Sequence, residues 1–292
     1  MANPVCLSPL KFYDDIAKQS HRKSYAHGHI SPLFTKIHWL PPFQFIIPDY
    51  LYTAGGPLTQ VYLYDAKTDQ VVGSNRINEL GGIGFGIYTY SGYKFCLCES
   101  SARTFTDVSE GLYYIKLASA NNTWCYYSEV FCFTEVTRDL IEIEYWNETG
   151  DFNIKNGLVS FSYGFHFKLL LKSELGKPEY NFEEESTKRL GYTYIESQVS
   201  KKVYKFNTVV PEFICDAMRI IRLCDNKIIR SLDEEYDAMS FEIETEWQTQ
   251  GDLASVNCEF ETDNVIVNTG GFTPDRLGGD YNGDYNGDYD IQ

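Results

Sequence analysis

Histidines, cysteines and paired carboxylates are the groups through which this chain could do chemistry, and few of them stand at productive spacings. The five histidines are His21, His27, His29, His38 and His166. In His27-Gly28-His29 the alternate positions of an extended segment would put two imidazoles on one side, where His21 could join them around a metal. Asp14 and Asp15 lie outside any recognisable ligand spacing, so ordinary hydrogen-bonded or exposed histidines are the preferred reading. Cys96 and Cys98 are two apart and face the same side of a strand. Eight cysteines without a Cys-x-x-Cys pair point to buried thiols in a reducing compartment, not to zinc or a disulfide scaffold. Glu183-Glu184-Glu185 and Asp233-Glu234-Glu235 resemble glycosidase carboxylates only in composition. Catalytic acid and base face each other across a substrate, which neighbours on a loop do not do, so both clusters are read as solvated loop charge.

Gly82-Ile83-Gly84-Phe85-Gly86 lacks the last spacing of a dinucleotide fingerprint and precedes a strand, whereas a phosphate cradle needs a helix N-terminus. Neither Gly-x-x-x-x-Gly-Lys-Ser/Thr nor Gly-x-Ser-x-Gly occurs. The expectation is a non-enzymatic chain with no catalytic, cofactor-binding or metal-ligating residue and no cofactor. A repeat runs from Gly279 to Asp290, with Asp or Asn at 280, 282, 284, 286, 288 and 290. It has the oxygen-rich half of a calcium loop, but Tyr285 stands where the loop needs Gly and Ile291 where it needs a bidentate acid. A flexible acidic tail whose three tyrosines can stick to a neighbouring subunit is the better reading. Tyr113-Tyr114 and Tyr126-Tyr127 each put one ring on either face of a strand, which leaves carbohydrate stacking open beside ordinary cross-strand packing.

The elements that must hold these residues are strands. Aromatics make up 16% of the 292 residues, and they favour pleated, half-buried surfaces. With 43% hydrophobic residues the chain can build a large core, which excludes general disorder. A net charge of −16 repels phosphate backbones and makes nucleic acid an unlikely main partner. Charge is uneven: residues 1–40 are net +3 and residues 275–292 net −4, which favours head-to-tail contact between subunits. The N-terminus does not read as a secretory signal, and no apolar window is long enough to span a membrane.

Short alternating runs about ten residues apart, separated by Gly, Asn and Asp, give an all-β, mainly antiparallel chain of two β-sandwich-like domains. Residues 1–40 read as an extended N-terminal arm with one helical turn near 11–19. Residues 41–137 form the first domain, 138–274 the second, and 275–292 the acidic tail. The run 123–133 reads as one strand. One amphipathic helix is expected near 211–224, with Phe213, Ala217, Ile220, Ile221 and Cys224 in an apolar stripe.

Several blocks carry a resemblance: Cys6-Leu7-Ser8-Pro9-Leu10-Lys11-Phe12-Tyr13-Asp14, His21-Arg22-Lys23-Ser24-Tyr25-Ala26-His27-Gly28, Leu40-Pro41-Pro42-Phe43-Gln44, Gly111-Leu112-Tyr113-Tyr114 with Tyr127-Ser128-Glu129, Val210-Pro211-Glu212-Phe213, and Gly251-Asp252-Leu253-Ala254-Ser255-Val256. Together these resemble a family of structural proteins of Bacteroides phages and prophages, including crAss-like phages. The resemblance implies a virion component of the tail or head-to-tail region, made in the bacterial host cytoplasm and assembled as a homo-oligomeric ring, collar or adaptor with other tail or neck proteins. It supplies no catalytic residues, and the Asn-Gly-Asp-Tyr repeat is not part of it. Residues 1–40 are expected to be the inter-subunit clamp. A receptor-binding or carbohydrate-binding module on the virion is the alternative.

Overall fold

The computed structural model describes residues 8–19, 33–56, 58–76, 83–90, 92–100, 105–135, 138–147, 151–154, 157–160, 166–189, 192–232, 234–247 and 253–269. In chain order the strands are β1 (Phe12–Tyr13), β2 (Phe34–Lys36), β3 (Phe43–Pro48), β4 (Leu58–Asp65), β5 (Val71–Arg76), β6 (Ile83–Tyr90), β7 (Tyr93–Ser100), β8 (Gly111–Ser119), β9 (Cys125–Ser128) and β10 (Phe131–Thr134). They continue with β11 (Leu140–Trp146), β12 (Asp151–Ile154), β13 (Gly157–Ser160), β14 (Phe167–Lys172), β15 (Glu179–Arg189) and β16 (Tyr192–Pro211). The last are β17 (Asn226–Ser231), β18 (Glu234–Asp237), β19 (Glu242–Trp247), β20 (Leu253–Glu261) and β21 (Ile266–Thr269). Helices interrupt them at Asp49–Gly55, which the sequence did not suggest, and at Glu212–Ile221. The all-β class is observed.

Local sequence accounts for the clearest elements. In β11 Ile141, Ile143 and Tyr145 are fully buried while Glu142 and Glu144 share the opposite face, as period-two alternation requires. The helix Glu212–Ile221 follows Pro211, and all five residues of its expected stripe are buried; Ile214, Cys215 and Met218 are buried too, so the helix is enclosed on more than one side.

The largest sheet runs β1-β9-β8-β10-β2-β14-β11-β17-β18, with β4 on β8 and β5 on β4. Its neighbours are antiparallel except β10 and β2, which are parallel. A three-stranded sheet, β3-β7-β6, packs on it through Phe12 against Phe43 and Phe45 against Tyr126, each pair 4.9 Å between ring centroids. A five-stranded sheet, β15-β16-β20-β19 with β21 on β16, packs through Tyr204 on Tyr236 of β18 at 4.7 Å.

The large sheet and the core both run across residue 137, where the sequence suggests a boundary. Strand β2 bonds β10 on one side and β14 on the other, and one hydrophobic cluster extends from Leu10 and Leu33 to Phe260. A short polar connection between alternating runs looks the same whether it joins domains or strands of one sheet. The described parts of residues 1–40 likewise lie within this body rather than in an arm. Leu10 and Leu33 are fully buried, β1 pairs with β9, and Lys11 Nζ meets Asp216 Oδ2 at 3.2 Å. Strands of two and three residues are too short to show a period, so this segment looks irregular in sequence. The turn near 11–19 is present as a single 3-10 turn, Ile16–Lys18, capped by Asp15 Oδ1 accepting from Ala17 N–H.

The run 123–133 is two strands. β9 and β10 lie end to end along the edge of β8 that β4 leaves free, and across the break Ile115 N–H donates to Ser128 Oγ at 3.0 Å. Glu129 and Val130, between them, are buried, and the Tyr13 hydroxyl donates to Glu129 Oε1 at 2.7 Å.

Gly55 ends the first helix against Trp124. A Cβ there would sit 2.4 Å from Trp124 Cδ1, and the indole is held between Phe45 and Tyr52 with centroids at 5.7 and 6.3 Å. Gly55→Ala is therefore expected to cost about 1–3 kcal/mol through overpacking. Urea unfolding checks this, as a lower midpoint at unchanged slope.

Candidate functional site

Most residues singled out in the sequence are structural. Cys96 and Cys98 are buried on β7; burial pushes the Cys96 thiol up to about 12 and raises Cys98 well above the ordinary thiol value, so neither is a ready nucleophile. Tyr113 and Tyr126 face the core, Tyr113 tilted against Phe133 and Tyr126 edge-on to Phe45. On the other face Tyr114 is buried against Tyr64 at 5.1 Å, and Lys116 Nζ lies 5.6 Å over the Tyr127 ring. Each of these rings is packed on neighbours, Tyr113 and Tyr114 buried and Tyr126 and Tyr127 half-buried. Gly84 and Gly86 lie in strand β6, paired with β7. Glu183, Glu184 and Glu185 are exposed, as are Glu234 and Glu235, but they sit on β15 and β18, not on loops. His21, His27, His29, Gly82, Asp233 and the 279–290 repeat lie outside the described residues. Among those described, no group of three His, Cys, Asp or Glu could hold a metal ion.

Strand order brings together a charged strip that no single segment announces. On the outer face of the large sheet, Glu142 and Glu144 of β11 stand beside Arg230 of β17 and Lys168 of β14. Arg230 Nη1 donates to Glu142 Oε1 at 2.8 Å and Glu144 Oε2 at 2.6 Å, while its Nε reaches Glu235 Oε2 at 2.6 Å. His166 Nδ1 meets Glu144 Oε1 at 2.8 Å, and its ring stacks on Trp146 at 4.2 Å. Burial raises the Glu144 pKa, but the hydrogen bonds from Arg230 and His166 outweigh it and hold the carboxyl below its ordinary value of 4.5.

The strip is a clasp between strands far apart in sequence. Because the folded value is depressed, the contribution of Glu144 to stability is present above about pH 4.5 and lost as pH falls through the lowered value. Glu144→Ala is expected to cost about 2 kcal/mol at neutral pH. Chemical unfolding of both proteins from pH 7 down to pH 3, on the order of the carboxylate range, should show the difference shrinking; a constant difference would contradict the assignment.

Beside the strip, the turn after β2 roofs a cavity of about 420 Å³ lined by Phe34, Lys36, Trp39, Pro42, Glu142 and Lys168.

The third feature is a ribbon. β16 is 20 residues long, about 65 Å at the usual rise per residue. Its residues 203–211 pair with β20, but 192–202 pair only with β15 and, over 197–200, with β21. One ribbon face is fastened by polar contacts: Lys201 Nζ to Glu183 Oε1 at 2.9 Å, Lys205 Nζ to Glu179 Oε2 at 2.7 Å, and Ser197 Oγ to Glu185 Oε2 at 3.1 Å. The opposite face carries Tyr180, Phe182 and Ile266, exposed by 60%, 71% and 67%. Phe182, Ser200 and Ile266 lie in one row across β15, β16 and β21. The small Ser200 separates the two large apolar side chains.

The chain matches no known family model and no curated protein sequence. The polar run Ser200-Lys201-Lys202 carries no alternation that would mark residues 192–211 as one strand. A ribbon wet on both faces has no burial to impose alternation.

Proposed function

We propose that this protein is a structural assembly protein, a ring, collar or adaptor component of the tail or head-to-tail region of a Bacteroides-type phage virion. The observation that supports assembly is the ribbon, with Phe182 and Ile266 standing unburied in one row on strands outside the main body. Two- and three-stranded ribbons are marginal alone, and an exposed apolar row costs solubility unless something covers it. The virion setting rests on the sequence blocks that resemble Bacteroides phage structural proteins. Work at such a site is interface burial; the buried Cys96 and Cys98 thiols and the pairing of Glu142 and Glu144 with Arg230 fit a role without bond-making chemistry.

Light scattering after size exclusion tests this, on the full chain over a range of concentrations. A discrete multiple of 33.6 kDa is expected. A single 33.6 kDa species at every concentration would count against self-assembly.

A further inference from the structure

The cavity under Trp39 has a chemistry that the charged strip does not use up. Lys36, on its rim, is exposed and has no ion pair among the described residues. Lys168 has only Glu144, at 3.7 Å, and that carboxylate is already held by Arg230 and His166. Glu142, the cavity's acid, is taken by Arg230 at 2.8 Å. Two cations with spare charge thus flank an indole, a phenyl ring and a proline on a chain of net charge −16. Such a cavity selects a flat ring carried next to a carboxylate.

This chain contains such a ligand three times. Asp280-Tyr281, Asp284-Tyr285 and Asp288-Tyr289 recur every four residues, with Gly283 and Gly287 between them. Glycine two positions from each tyrosine leaves no side chain on that side of an extended segment, so the backbone can lie close to the cavity walls while the ring enters. Three equivalent units also raise the local concentration of the ligand.

The ribbon indicates which copy supplies it. β21 runs antiparallel to β16, from Ile266 level with Ser200 to Thr269 level with Ser197. The chain therefore leaves the described structure heading for the ribbon tip, away from the part of β16 that joins β20. The 15 residues from 270 to 284 span at most about 50 Å, enough to reach a neighbour. We infer that the Asp-Tyr repeat of one copy docks in the Trp39–Lys36–Lys168 cavity of a second copy. This rests on the assembly reading and deepens it: the tail becomes a strap between adjacent subunits.

The test uses the full-length chain carrying Tyr281→Ala, Tyr285→Ala and Tyr289→Ala as acceptor, and a fluorescent synthetic peptide of residues 278–292 as probe. Saturable binding by anisotropy is expected, weakened by salt and at least about tenfold by Lys36→Glu with Lys168→Glu. Arginine at both positions should restore it, and circular dichroism should be unchanged throughout. No saturable binding, or equal binding by the charge-reversed acceptor, overturns the inference. A wild-type chain that assembles while its acceptor form binds no peptide overturns the strap and leaves the assembly reading standing. Peptide binding by an acceptor whose wild-type parent stays monomeric overturns docking between copies, in favour of a chain holding its own tail.

Discussion

A chain lacking residues 1–40 is expected not to fold. β2 sits between β10 and β14, so its removal cuts the large sheet and strands backbone groups now paired. Cys132 N–H would lose Leu33 O at 2.8 Å, and Thr134 O would lose Ile37 N–H at 3.0 Å. Leu10, Leu33 and Leu40 are buried, and each such leucine is worth about 2–5 kcal/mol against alanine. Losing all three removes about as much as the whole stability of a typical domain. Far-ultraviolet circular dichroism against urea should show no cooperative transition for the deletion, and Leu33→Ala alone should lower stability by about 2–5 kcal/mol. A truncated chain with a native-like transition would contradict the placement of β2. The described parts of residues 1–40, expected from the sequence to be a subunit clamp, are on this structure part of the folded body.

Phe182→Asp combined with Ile266→Asp is expected to abolish assembly and leave the monomer as stable as before. Both side chains are largely exposed, and exposed substitutions usually change stability by less than about 0.5 kcal/mol. In an interface, a buried charge facing an apolar partner surface costs at least about 2 kcal/mol, and two such changes in one row act on the same contact. Solution mass should fall to 33.6 kDa while the urea midpoint stays put. An unchanged oligomer would place the interface elsewhere on the molecule.

What the sequence shows and what it hides divide by range. β11 is legible residue by residue because burial on one face writes itself into Ile141, Ile143 and Tyr145, and the second helix is legible because Phe213, Ala217 and Ile220 fall on one stripe. β2 is hidden because three residues hold no period and its parallel partner, β10, lies about a hundred residues on. The charged strip is hidden for a related reason: Glu142 and Glu144 stand in plain alternation, yet Arg230 joins Glu144 across 86 positions that only strand order brings together. The ribbon is half legible. Its residues read as strand, but continuity through Ser200-Lys201-Lys202 depends on β15 and β21 pairing alongside, and no burial marks it.

Hydrogen exchange of the wild-type chain, compared between dilute and concentrated solution, tests most directly whether the ribbon is the assembly surface. Amides of residues 180–189, 192–200 and 266–267 are expected to gain protection as concentration rises, while those of β4 and β8 stay as they are. Protection that rises elsewhere and leaves the ribbon unchanged would contradict the account.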